Sequence, residues 1–154
     1  MIDRNLIGKE AEPGHVTINA ESIKEFARAI GETNPLYLDE KAARAAGYAN
    51  IVAPPTYPIA FMAESMNPDL FIELNLDITT VVHGEQEFEY QRPLVAGDTL
   101  TVHAKLADAW EKQGRSGTLT FVVFEANAVD AANKPVYTSR ITLLAKQAQE
   151  EIAS

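Results

Sequence analysis

The sequence predicts an α+β fold in which a curved antiparallel sheet wraps a central helix, with an extra helical segment in front. Three observations predict it. Residues up to about Met66 carry helical periodicity and turn signals, residues from about Thr79 onward read as strands, and between them the apolar run Ile59 to Met66 needs surrounding structure to cover it.

The first helix is expected from Ala20 to Ile30, with Asn19 as N-cap and Gly31 as the left-handed residue that ends it. Ile23, Phe26, Ala27 and Ile30 fall at i, i+3, i+4 and i+7, so one face is apolar while Glu21, Lys24, Glu25 and Arg28 face water. A shorter helix follows from Glu40 to Ala46, capped by Asp39 and stopped by Gly47, and Asn34-Pro35 fixes the turn between the two. Pro58 suits the first turn of the apolar helix, which Thr56 or Tyr57 begins and only Glu64 and Ser65 interrupt. Four strands are expected, at Val81 to Arg92, Leu100 to Ala109, Thr118 to Asn127 and Val136 to Leu144. Turns at 93–98, 113–117 and 130–135 make them an antiparallel meander. In the first strand strict alternation puts Gly84, Gln86, Phe88 and Tyr90 on one face and His83, Glu85, Glu87 and Glu89 on the other. Phe121-Val122-Val123-Phe124 is apolar on both faces, as a central covered strand or one near a subunit contact would be.

The bounds are those of one domain spanning 1–154, in which 147–154 read as a frayed tail. With no cysteine there is neither disulfide nor thiolate chemistry, and a reducing compartment fits. The N-terminus leads into no signal-peptide core and no window reaches the roughly 20 apolar residues of a membrane span, which makes the cytoplasm the default. A formal charge of -9 argues against nucleic acid. An acyl-CoA remains compatible if Arg92, Lys112, Arg115 and Lys134 cluster around its phosphates. No histidine stands at helical spacing from another or from a carboxylate pair, so no metal or other cofactor is expected.

The stretch Gly31-Glu32-Thr33-Asn34-Pro35-Leu36-Tyr37-Leu38-Asp39 resembles the Gly-Asp-x-Asn-Pro-(Leu/Ile)-His-x-Asp signature of MaoC-like enoyl-CoA hydratases and 3-hydroxyacyl-thioester dehydratases. Together with 51–56 and with His83 to Asp98, which contains Arg92-Pro93-Leu94 and Ala96-Gly97-Asp98, it is similar to the N-terminal, HadA-like group of that family. The resemblance implies a hot-dog fold, a hot-dog partner subunit in a homodimer or heterodimer, and an acyl-CoA or acyl-carrier-protein thioester as ligand.

The resemblance also implies a site, and here the chain departs from the pattern. Hydration of an enoyl thioester needs a carboxylate and an imidazole side by side, with an N–H donor for the thioester oxyanion. Glu32 stands in place of the family's Asp and Tyr37 in place of its His, while the family's oxyanion glycine aligns with Pro54-Pro55, which lack N–H groups. One added methylene displaces a base enough to cost roughly a hundredfold, and a phenol of pKa about 10 is poorly matched to proton exchange near neutrality. Glu32, Tyr37 and His83 are therefore the candidate catalytic residues, each with a plainer reading as loop carboxylate, pocket wall and structural histidine. Asn34, Pro35, Pro55, Thr56, Tyr57 and Gly84 are the candidate substrate contacts. His15, beside a turn, and His103, on a polar strand face, read as ordinary exposed positions. Three functions follow: the binding, non-catalytic half of an R-specific hydratase or dehydratase; a self-sufficient acyl-thioester hydro-lyase or a thioesterase with Glu64 as base; and a non-catalytic acyl-ligand binding protein.

Overall fold

Strands 13 to 16 residues long, against about 5–6 for an average strand, dominate the computed structural model, which describes residues 2–62, 69–114 and 117–147. A four-residue strand β1 (Gly14–Thr17) precedes β2 (Leu76–Tyr90), β3 (Thr99–Gly114), β4 (Gly117–Asp130) and β5 (Pro135–Gln147). All pairings are antiparallel in the order β1-β3-β4-β5-β2, and the sheet curls into the half-barrel of a hot-dog fold. Every expected strand is present, with ladders that continue through polar ends such as Glu111 to Gln113, but the expected meander holds only for β3, β4 and β5: β2 crosses to the far edge and pairs with β5 instead of β3. β4 lies in the middle of the sheet, and Val122, Val123 and Phe124 are all buried, as its two-sided apolar pattern requires.

The helices begin and end where their caps dictate. Asn19 Oδ1 accepts from Glu21 N (2.8 Å) and Ser22 N (3.2 Å) to open α1 (Ala20–Ala29), and Ile23 and Ala27 are its buried face. At its end Gly31 takes φ 73° while Gly31 N–H donates to Arg28 O and Glu32 N–H to Ala27 O, the paired bonds of a Schellman close. Asp39 caps α2 (Glu40–Ala45) through Lys41 N, and Gly47 follows with φ 96°.

Of the expected central helix the structure describes a 3-10 turn at Tyr57–Ala60; 63–66, with Glu64, lie outside the described residues. Tyr57, Pro58 and Phe61 are buried, whereas Ile59 is 38% exposed, so the segment is one-sided rather than apolar all round. Tyr57 meets Phe26 edge-on at 5.4 Å and Phe61 at 5.8 Å, joining α1 to this turn. A helix that periodicity did not reveal, α3 (Asp69–Glu73), sets Leu70, Phe71 and Leu74 against Leu106, Val122, Phe124 and Ile141 in a second core.

β2 does not alternate strictly. His83 pairs with Leu143 and Glu85 with Thr142, so Gly84 is the extra residue of a β-bulge. The bulge corrects the expected faces: His83 shares the inner face with buried Leu143, while Gly84 turns outward with the glutamates. A Cβ on Gly84 would lie 2.5 Å from Leu144 Cδ1 and 3.1 Å from Thr142 O.

Candidate functional site

A cavity of about 390 Å³ opens where the loop after α1, the 51–55 segment and the end of β2 converge. Leu36, Tyr37, Tyr48, Val52, Pro55 and Tyr90 form much of its wall, with Gln91 to Leu94 behind them. Backbone bonds fix these three segments to one another: Val52 N–H donates to Leu36 O (3.0 Å), Ala53 N–H to Leu94 O (2.9 Å) and Ala96 N–H to Ile51 O (2.9 Å). Tyr90 OH donates to Pro55 O at 2.7 Å, tying β2 to the double-proline turn. The Tyr90 ring rests 5.5 Å from that of Tyr137, and burial pushes the pKa of both phenols up, so they stay neutral.

Tyr37 reaches the cavity because Asn34 starts a second 3-10 turn, Pro35–Tyr37, with its Oδ1 accepting from Leu36 N at 3.0 Å. Asn34 thus acts as a cap and Pro35 as the first residue of the turn it caps. The Tyr37 phenol is raised above its ordinary value by burial first, then by the nearby Glu32 carboxylate and by Tyr48. At neutral pH it is a hydrogen-bond donor and not a base. Glu32, set by the Schellman close, accepts from Thr33 N at 3.1 Å.

Of the other candidates, Pro55 lines the cavity and Thr56 adjoins it in the chain, whereas Tyr57 faces a separate groove against Ser22, Glu25 and Phe26. His83 stands seven residues from Tyr90 along β2, which at about 3.3 Å per residue is roughly 20 Å from the cavity wall. Glu32 and Tyr37 are therefore brought together, and His83 and Gly84 are not brought to them within one chain. The reasoning from sequence missed Tyr48, Tyr90 and Leu94. Tyr90 carried a signal, its shared face with Phe88; Tyr48, alone after Gly47, carried none.

The Arg92 to Asp98 stretch closes the turn between β2 and β3. Arg92 Nη1 donates to Asp98 Oδ2 (2.7 Å) and to Pro93 O (3.1 Å), Nη2 donates to Asp98 Oδ1 (3.1 Å), and Val95 N–H donates to Asp98 Oδ2 (3.0 Å). Asp130 adds a second carboxylate 3.6 Å from Arg92, and Gly97 supplies φ 96°. Among the described residues the cationic cluster that phosphate binding would require is not assembled. Arg92 is held by these carboxylates, Arg115 lies outside the described residues, and Lys112 pairs with Leu119 at the opposite end of the β3–β4 ladder from Asp130 and the turn that holds Lys134. His15 lies on β1 with Nδ1 3.3 Å from Thr101 Oγ1, and His103 is exposed on β3. Among the described residues no three His, Cys, Asp or Glu side chains are grouped to hold a metal ion, and no helix is long and apolar enough to cross a membrane.

A family model described as the FAS1-like dehydratase domain region matches residues 5–139. A UPF0336 protein from Saccharopolyspora erythraea is 35% identical over 97% of this chain and 95% of its own length. Among solved structures, the C-terminally truncated HadBC (3R-hydroxyacyl-ACP dehydratase) complex from Mycobacterium tuberculosis is similar at 27% identity with a TM-score of 0.72, covering 86% of this chain and 91% of that one. A MaoC-like dehydratase is similar at 26% identity with a TM-score of 0.79, covering 93% of this chain but 43% of the other.

Proposed function

Because the chain belongs to the FAS1-like dehydratase-region family of hot-dog proteins, we propose that it is the acyl-thioester-binding subunit of an R-specific enoyl-thioester hydratase or 3-hydroxyacyl-thioester dehydratase, whose catalytic pair comes from a partner hot-dog subunit. The observation that carries this reading is the composition of the cavity. Its wall offers a neutral phenol, Tyr37, among Leu36, Val52 and Tyr90, with Pro55 and Pro93 also lining it.

The Tyr37 hydroxyl donates to the thioester carbonyl, taking the place of the N–H that Pro54 and Pro55 lack. The apolar wall receives the acyl group, and water is excluded as it enters. Burial, with a smaller push from Glu32, keeps the donor protonated, and Glu32 exchanges no proton with the substrate. Likeness to a protein described as a dehydratase complex supports the second subunit.

Crotonyl-CoA hydration, followed by loss of the enoyl-thioester absorbance, tests the reading with the purified chain alone and with a catalytic MaoC-type chain encoded in the same source. Turnover is expected only in the mixture, indifferent to Glu32→Ala. Tyr37→Phe removes one hydrogen bond of about 0.5–1.5 kcal/mol, so butyryl-CoA binding should weaken roughly two- to tenfold with folding unchanged. Turnover by the chain alone that Glu32→Ala or His83→Ala abolishes would overturn it.

A further inference from the structure

The outer face of the sheet, turned away from both cores, is built of side-chain rows that run across the strands. One row aligns Lys105, Glu125, Arg140 and Glu87, one residue each from β3, β4, β5 and β2. Lys105 lies 3.1 Å and Arg140 3.7 Å from the two oxygens of Glu125, so the signs run positive, negative, positive, negative. Two rows further along, Trp110, Phe121, Leu144 and Val82 are successive partners. Trp110 stacks on Phe121 at 5.1 Å and is 38% exposed, and Val82 is 60% exposed. Water alone accounts for the charged row. It leaves unexplained an apolar strip four strands wide that ends on an open tryptophan, the composition of a surface that is covered.

The order of the charges says what covers it. A two-fold axis parallel to the strands, midway between β4 and β5, lays β4 on the β5 of a second copy and β3 on its β2. The row of alternating signs is reversed by this operation, so Lys105 meets Glu87, Glu125 meets Arg140, and each meeting occurs twice. Trp110 then falls on Val82 and Phe121 on Leu144, and in the last row Lys112 falls on Asp77. Of the charged positions in these rows only Asp108 and Glu85 meet with like sign, and Asp108 Oδ1 already accepts from Ala109 N at 2.8 Å. An axis perpendicular to the strands sets like charges on each other or charges on the apolar strip. One shifted by a strand to either side leaves members of both rows unmatched. A surface that matches itself under a single two-fold is what an isologous contact requires. The face is the convex side of a curled sheet, so two copies touch first along the middle strands, where Glu125, Arg140, Phe121 and Leu144 lie.

We propose that the outer face of β2 to β5 docks a second copy of this chain face to face, with reciprocal Glu125–Arg140 pairs and Phe121–Leu144 contacts beside the two-fold axis. The contact goes beyond the binding role above and does not depend on it.

Trp110 is the sole tryptophan of the chain, so its fluorescence reports on this face. As wild-type protein is raised from micromolar to millimolar, acrylamide quenching of Trp110 is expected to fall while the mass from light scattering rises, and added salt should weaken both changes. Arg140→Glu and Glu125→Arg each set like charges together across the axis, and either alone should weaken the association about tenfold or more. Mixing R140E with E125R restores opposite charges at both meetings, so the mixture should regain the protection of Trp110 that neither variant has alone. Each variant also loses the Glu125–Arg140 pair within its own sheet; mixing does not repair that loss, so recovery is not an effect on folding. Lys105→Glu and Glu87→Lys form a second such set that leaves Glu125 and Arg140 in place. Association without protection of Trp110, no association up to millimolar, or mixtures that behave as their separate components would each overturn the proposal. None of these results bears on the crotonyl-CoA test, so the two readings fail separately.

Discussion

Replacing Asp98 by alanine should unfold the β2–β3 turn more readily than any loss of an exposed ion pair would. The carboxylate accepts two bonds from Arg92, at 2.7 and 3.1 Å, and one from Val95 N–H at 3.0 Å, and its side chain is only 15% exposed. A charge-assisted bond contributes about 1.5–3 kcal/mol, and a bidentate pair more. Two features reduce the loss: Arg92 is 35% exposed, so water screens it, and it keeps Pro93 O and, at 3.6 Å, Asp130. The net cost works out at about 2–3 kcal/mol, which for a chain of this size lowers the melting temperature by roughly 5–10 °C. Urea titration of D98A against wild type, with m unchanged, checks it, and Asp98→Asn should fall between because its amide oxygen still accepts one bond. A loss below about 0.5 kcal/mol, the range of ordinary surface substitutions, would refute the argument. It would mean that Gly97 and the backbone hold the turn by themselves and that Arg92 is available to a ligand phosphate.

Gly84→Ala should cost about 1–3 kcal/mol, because Leu144 can rotate away from the new methyl but the Thr142 carbonyl at 3.1 Å cannot; thermal melts measure it. Acidification should weaken the β4–β5 turn. N–H bonds from Lys134 and Ala132, together with Arg92, hold Asp130 below its ordinary value, so its contribution is complete above about pH 3.9, the unfolded value, and is lost as pH falls through the lower folded one. Asp130→Asn should therefore flatten the stability profile in that acid range, read from urea midpoints against pH.

The strands and the β3–β4–β5 hairpins were legible because glycine, proline and asparagine mark the turns and because each strand repeats with period two over enough residues to count, whereas the crossing of β2 to the far edge beside β5 depends on long-range pairing that no local pattern encodes. β1 and α3 were not legible, since four or five residues complete too few periods to register. The misplacement of His83 has a more instructive cause. Alternation assumes an unbroken strand, so one inserted residue reverses every face on one side of it. The isolated glycine at 84 is the visible sign of that insertion, although it stands inside a family-like string. The same string held Arg92 to Asp98, whose order and spacing turn out to serve a turn clasp. Likeness in such a segment therefore identifies the fold that needs the clasp, and it says little about chemistry. The cavity obeys a different rule. Its wall is assembled by Val52, Ala53 and Ala96 bonding to partners 16 to 45 positions away, a coincidence that no local pattern encodes. Tyr37 could be nominated because its loop has a recognisable turn, while Tyr48 and Leu94 required the folded chain. The proposed binding role accordingly rests on what the three joined segments enclose, a neutral donor in an apolar wall, which only the folded chain assembles.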